Sequence, residues 1–180
     1  MRKINEIFYS LQGEGFHTGT PAVFVRFSGC NLKCSFCDTQ HEEGILLSDE
    51  EIINQVNSYP CRMVILTGGE PGLWIDEQLI EMLHKAGKYV AIETNGTCVL
   101  PEAIDWVTCS PKDAPLRVKR IDEVKVVYQG QDVSPYLELP AHQYFLQPCS
   151  CQNTKEVIDY IKMHPQWRLS LQTHKLIDIR

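Results

Sequence analysis

The chain has 180 residues, 43% apolar and 22% charged, with 11 glycines, 10 prolines and a formal net charge of -6. That composition excludes a disordered tail and a collagen-like repeat, and the length favours one domain with a single substantial core. Apolar runs reach only four residues, as in Ala22 to Val25 and Met63 to Leu66, against the ~20 that a membrane helix requires, and the acidic balance argues against a broad electrostatic grip on nucleic acid.

In chain order, Met1-Arg2-Lys3-Ile4-Asn5-Glu6 carries two positive charges with no apolar stretch behind them, so no secretory signal is expected and the compartment is the cytosol. Ser10-Leu11-Gln12-Gly13-Glu14-Gly15 is too polar for a core strand. Ala22 to Phe27 reads as the first buried strand. Ser48-Asp49-Glu50-Glu51 is a capping box, with Ser48 as N-cap and Glu51 at N3, and opens a helix through about Ser58. Met63 to Leu66 is the next strand. A helix over Asp76 to Ala86 follows, with Leu79, Ile80 and Leu83 on one face and Gly87 as its stop. Tyr89 to Ile92, Trp106 to Thr108, Glu123 to Val127 and a segment near Tyr144 supply further strands. Asn153 to Met163 is a third helix, capped by Asn153 or Thr154, with Val157, Ile158 and Ile161 on one face.

Strands of continuous rather than alternating hydrophobicity suggest a parallel sheet covered on both faces. Six strands with three convincing helices fall short of the eight units and ~250 residues of a closed β/α barrel. The expectation is therefore α/β, a partial, open barrel of about six parallel strands in a single domain spanning residues 1–180. Function should sit in the loops at the C-terminal ends of the strands.

Eight cysteines in a reducing compartment point to metal binding or catalysis rather than disulfides. Cys30, Cys34 and Cys37 crowd the loop after the first strand. Three thiolates at gaps of three and two residues can wrap one face of a cubane iron–sulfur cluster and leave one iron without a protein ligand. A zinc knuckle completed by His41 or a distant cysteine is the alternative. Thr67-Gly68-Gly69-Glu70-Pro71 follows the second strand, where two glycines let a ligand approach the backbone and a carboxylate can take the ammonium end of a zwitterion. Glu93 to Thr97, Ser110-Pro111-Lys112 and Gln147-Pro148-Cys149 stand at later strand ends, each readable as an ordinary turn. At the N-terminus, Gln12, Glu14 and Arg26 combine amide, carboxylate and guanidinium, a set that suits a polar heterocycle bearing a carboxylate. A glycine turn beside a surface Arg is the plainer reading.

The cysteine spacing, with Phe36 before the third cysteine, resembles the cluster motif of the radical S-adenosylmethionine (SAM) superfamily. The resemblance implies a 4Fe–4S cluster on Cys30, Cys34 and Cys37 and S-adenosylmethionine on the open iron, cleaved by one electron to a 5'-deoxyadenosyl radical. It further implies that Phe36 and Asp38 line adenine and ribose and that Gly69 and Glu70 grip the methionine amino group. Glu93, Asn95, Ser110, Lys112 and Gln147 become further cofactor contacts.

With Cys37-Asp38-Thr39, the Gln12 to Gly15 segment and the closing Leu171-Gln172-Thr173-His174-Lys175, the chain resembles the 7-carboxy-7-deazaguanine synthase family of the 7-deazapurine (queuosine) pathway, from Phe8 to Lys175. That family is similar in converting 6-carboxy-5,6,7,8-tetrahydropterin to 7-carboxy-7-deazaguanine with loss of ammonia. The adenosyl radical takes hydrogen from C6, the ring contracts through a bridged nitrogen radical, hydrogen returns and S-adenosylmethionine is regenerated. The resemblance puts Mg2+ at Thr39, the pterin among Leu11, Gln12, Gly13, Glu14, Arg26, Thr67 and His174, and implies a homodimer served by flavodoxin or ferredoxin, with neither membrane nor nucleic acid as partner. An activase installing a glycyl radical on a partner protein and a non-enzymatic zinc module are the rival readings. The Gln12 to Gly15 and Gln172 to Lys175 segments favour a small polar substrate over the first.

Overall fold

In the computed structural model, which describes residues 1–37 and 39–180, each strand expected from an apolar run forms. In chain order the elements are β1 (Arg2–Leu11), β2 (Pro21–Phe27), β3 (Ile45–Leu47), α1 (Asp49–Asn57), β4 (Met63–Gly68), α2 (Glu77–Lys85), β5 (Tyr89–Thr94), β6 (Trp106–Cys109), β7 (Glu123–Tyr128), β8 (Gln143–Pro148), α3 (Thr154–Met163), β9 (Arg168–Leu169) and α4 (Thr173–Leu176). They build one nine-stranded sheet in the order β3-β1-β2-β4-β5-β6-β7-β8-β9. From β2 to β9 every neighbour is parallel, whereas β1 runs antiparallel to β2 and β3. β3 and β9 are the edges, so this is an open, partial barrel.

Three strands were not legible. β3 and β9 are three and two residues long, too short for any periodicity. β1 is concealed by an irregularity between Ile4 and Glu6, which breaks the two-residue period that a strand would display. Its first residue, Arg2, is buried and bonded to Asp49 and Asp76 at the N-termini of α1 and α2.

The helices start where their caps dictate. Ser48 and Glu51 make the reciprocal capping box. Asp76 accepts from Leu79 N at 3.0 Å, and Gly87, at φ +75°, ends α2 with Gly87 N to His84 O and Lys88 N to Leu83 O, a Schellman pair. At α3 neither expected cap works as one: Asn153 is at the cap position, but its side chain accepts from Cys149 N and donates to Tyr128 O, and Thr154 Oγ1 donates to Cys151 O. Ile158 is exposed, and the packed face uses Val157, Tyr160 and Ile161 instead.

The two faces of the sheet differ. Outward side chains such as Val25, Leu66 and Ile92 pack on Ile52 and Val56 of α1 and on Leu79, Ile80 and Leu83 of α2, while Val124, Val126 and Leu146 pack on Val157 and Trp167. The inner face has an apolar floor of Phe8, Phe24, Met63, Ile65 and Ala91. Above the floor the inward positions turn polar, because the parallel register sets Arg26 beside Thr67 and Glu93 beside Thr108.

After β9 the chain returns to β1. Gly15 N donates to Ser170 Oγ, Thr173 N to Gly13 O and Ser10 Oγ to Arg180 O. The C-terminal segment thus spans the gap between the β9 edge and β1. Among the described residues no helix is long and apolar enough to cross a membrane.

Candidate active site

The polar tier opens into a cavity of about 640 Å3 at the C-terminal ends of the strands. Cys30, Cys34 and Cys37 line it from the loop after β2. That loop is pinned at its base: Gly29 N donates to His41 O at 2.7 Å, and Glu70 N donates to Gly29 O at 2.9 Å. Asn95 Nδ2 donates to Asn31 Oδ1 at 3.0 Å and reaches Cys30 Sγ at 3.9 Å, and Asn31 Nδ2 donates to Thr97 Oγ1.

The glycine pair permits this crowding. Gly68 sits at φ +125°, and a Cβ there would lie 2.2 Å from Phe27 O; one on Gly69 would lie 2.0 Å from Gly29 O. Side chains at either position would push the β4 loop off the cysteine loop.

Glu70 departs from expectation. It is fully buried and is absent from the cavity wall, because its oxygens are committed to Gly72 N, Thr94 Oγ1 and Asn95 N at 2.7–2.8 Å. Burial pushes its pKa up in spite of those donors. The carboxylate ties the β4 loop to the end of β5, and Gly69 faces the cavity in its place. Asp38 lies outside the described residues.

The other expected positions, Leu11, Gln12, Gly13, Glu14, Arg26, Phe36, Thr39, Thr67, Glu93, Asn95, Ser110, Lys112, Gln147 and His174, all line the one cavity. Lys112 Nζ donates to Ser110 Oγ at 2.7 Å and lies 5.5 Å above the Phe36 ring. Burial lowers the pKa of its ammonium while Cys34 nearby raises it. Arg26 Nε donates to Glu6 Oε1 at 2.9 Å, and its guanidinium lies 5.6 Å from the Phe8 ring centroid. The Cys37 thiol donates to Thr39 O at 3.6 Å.

Glu93, expected at the cofactor, is instead bonded to Gln12 Nε2, Thr67 Oγ1 and Lys125 Nζ. Lys125 is hidden in the sequence because it sits in an apolar strand; Gln172, in the closing segment that points to a small polar substrate, donates to Glu14 Oε1 at 2.9 Å. A signal for the lysine existed: charges at 123 and 125 in a valine-rich strand share one face. Burial alone would raise the pKa of Glu14, but Lys125, with Gln172, holds it below its ordinary value. Burial likewise opposes the charge on Lys125, and Glu14, Glu93 and Glu123 outweigh it, raising its pKa.

The donor set fits an iron–sulfur cluster. The three thiols are free, share one cavity wall, and stand close enough that Cys34 and Cys37 add to the burial that raises the pKa of Cys30; a cationic cluster offsets that cost. Among the described residues no three His, Cys, Asp or Glu side chains converge to hold a single metal ion.

An open, mostly parallel barrel with three cysteines on the loop after β2 defines the class: the model of the radical SAM superfamily matches residues 24–127, from within β2 to within β7. A protein of Bacteroides thetaiotaomicron named 7-carboxy-7-deazaguanine synthase is 72% identical over 181 residues, covering 100% of both chains. One of the same name from Burkholderia multivorans is 43% identical, covering 98% of each. The crystal structure of QueE from Escherichia coli matches with a TM-score of 0.78 at 30% identity, over 94% of this chain and 93% of that one. The chain belongs to the 7-carboxy-7-deazaguanine synthase family.

Proposed function

We propose that this protein converts 6-carboxy-5,6,7,8-tetrahydropterin to 7-carboxy-7-deazaguanine and ammonia. The observation that carries the reading is that one cavity has both the three cysteines and the polar tier of Gln12, Glu14, Arg26 and Lys125 in its wall. When bound, a 4Fe–4S cluster on Cys30, Cys34 and Cys37 with S-adenosylmethionine supplies the 5'-deoxyadenosyl radical that the superfamily uses.

The chain's own residues then bind and orient. Arg26, steadied by Glu6, faces the cavity with donors suited to the substrate carboxylate, and Glu14 with Gln12 offers acceptors for ring N–H groups. Leu11, Gly13, Thr67 and His174 complete the pterin side. Phe8 and Phe24, stacked at 4.9 Å, keep water from the floor beneath. On the cofactor side Lys112 and Ser110 take the methionine carboxylate, Phe36 the adenine, and Gly69, Asn95 and Gln147 the remaining polar atoms. Thr39 assists a Mg2+ that leans chiefly on substrate oxygens and water. The reading extends to a cytosolic homodimer reduced by a flavodoxin or ferredoxin.

Anaerobic incubation of the reconstituted protein with carboxy-tetrahydropterin, S-adenosylmethionine and a reductant, followed by mass analysis, tests it. The expected product has lost one ammonia; unchanged pterin alongside reductive cleavage of S-adenosylmethionine would overturn the substrate assignment.

A further inference from the structure

Lys125 belongs to none of the motifs above, yet it joins two carboxylates of the cavity wall. Its Nζ lies 2.6 Å from Glu14 Oε2 and 3.0 Å from Glu93 Oε1, and its side chain is only 6% exposed. Glu14 comes from the turn after β1 and Glu93 from β5; the lysine bridges their two side chains directly, while Gln12 Oε1 accepts from Glu14 N. Their remaining positions are fixed from outside the pair: Gln172 Nε2 donates to Glu14 Oε1, Thr67 Oγ1 to Glu93 Oε2 and Gln12 Nε2 to Glu93 Oε1. Glu123, next along the inner face of β7, adds a third carboxyl near the ammonium.

An ammonium with two of its three donors spent on carboxylates leaves an anionic, acceptor-rich wall. A wall of that kind complements a ring edge crowded with N–H donors, such as the 2-amino-4-oxopyrimidine edge of a pterin, and mismatches an edge where oxygen replaces the amino group. Resting on the activity proposed above, we propose that Lys125 is the positioning residue for substrate choice: it holds Glu14 and Glu93 side by side as paired acceptors and so sets a preference for a 2-amino over a 2-oxo heterocycle. Without the ammonium the carboxylates face each other as like charges; they part, or one takes up a proton and presents a donor where the ring also presents one. Sites built to hydrogen-bond a substrate group reject analogues that lack it far more strongly than apolar pockets discriminate by size.

The test is a binding titration of the cluster-loaded protein with S-adenosylmethionine present and no reductant, using carboxy-tetrahydropterin and its 2-oxo analogue. The parent is expected to prefer the 2-amino compound by roughly 10-fold or more. Lys125→Met should bring that ratio close to one while the cluster absorbance and S-adenosylmethionine affinity stay at parent values, a change that a merely structural lysine would not produce. Should Lys125→Met fail to hold the cluster, Glu93→Gln decides the matter, since it replaces one acceptor by an amide and leaves the ammonium in place; it too should lose the preference. A parent-like ratio in a cluster-loaded Lys125→Met, or in Glu93→Gln, overturns the role of Lys125 with the activity left standing. A parent that holds S-adenosylmethionine but binds neither pterin overturns the proposed activity and this role together.

Discussion

His174 Nδ1 fills the space that a side chain on Gly13 would need: a Cβ there would lie 2.1 Å from it. Thr173 locks the same approach, donating through both N and Oγ1 to Gly13 O, so the turn after β1 and helix α4 act as one wall of the cavity although they lie at opposite ends of the chain. Gly13→Ala should therefore displace His174 and weaken pterin binding about 10-fold, ~1.4 kcal/mol, with the melting temperature and iron content near the parent's. Unchanged affinity in a titration would show that His174 yields freely and does not shape the pocket.

Glu70 is expected to matter for the loops rather than for contact with the cofactor. Glu70→Ala strips the acceptor from Gly72 N, Thr94 Oγ1 and Asn95 N, all close to a fully buried carboxylate. The loss should be about 3 kcal/mol or more, read as a lower urea midpoint at unchanged slope. A cost below ~1 kcal/mol would contradict the clamp.

Glu123 gives the protein a pH dependence of definite sign. Its Oε2 accepts from Phe16 N, Trp106 Nε1 and Thr108 Oγ1, while Oε1 is buried with no hydrogen-bond partner among the described residues. Burial raises the pKa of the carboxyl, although Lys125 opposes that. A raised folded-state pKa means that the unfolded chain ionises first, near pH 4.3, so this group's stabilisation is complete below that pH and is lost as pH rises through the folded-state value. Glu123→Gln keeps an acceptor and removes the ionisation. Its melting temperature should exceed the parent's at pH 7.5 and converge with it near pH 4; a lower value at pH 7.5 would refute the assignment.

The cysteines should divide by place. Ala at Cys30, Cys34 or Cys37 should abolish the cluster, measured by iron analysis. Cys109, the buried last residue of β6, with its thiol pushed up to about 12 by burial, should tolerate Ala with full iron content and a modest loss of packing. Four irons retained in any of the first three variants would sink the ligand assignment.

Thr39, at the cavity wall two residues past the third cysteine, is expected to matter for Mg2+ alone. Thr39→Ala should weaken Mg2+ stimulation of turnover while cluster content holds; an identical Mg2+ dependence would remove it from the site.

The sequence by itself determined six of the parallel strands, the N-terminal box of α1, the Gly87 stop of α2 and the cysteine loop, because each is written in neighbouring residues: apolar runs, a Ser48–Glu51 box, a glycine after a helical period, thiols a few residues apart. Most of the cavity wall was legible for a related reason, since loops that follow parallel strands must gather at one rim. Only the tertiary structure decided which of those residues face one another. Glu70 and Glu93 look alike as carboxylates after strands, yet the first is consumed by buried donors and the second meets Gln12, Thr67 and Lys125. Lys125 read as part of a core strand because periodicity reports that a position is buried, and says nothing of the Glu14 that arrives from the far end of the sheet. The closure of the open barrel was decided in the same way: pairs such as Gly13 with His174 and Gly15 with Ser170 depend on strand register and on the path of the returning chain, and no local propensity encodes either.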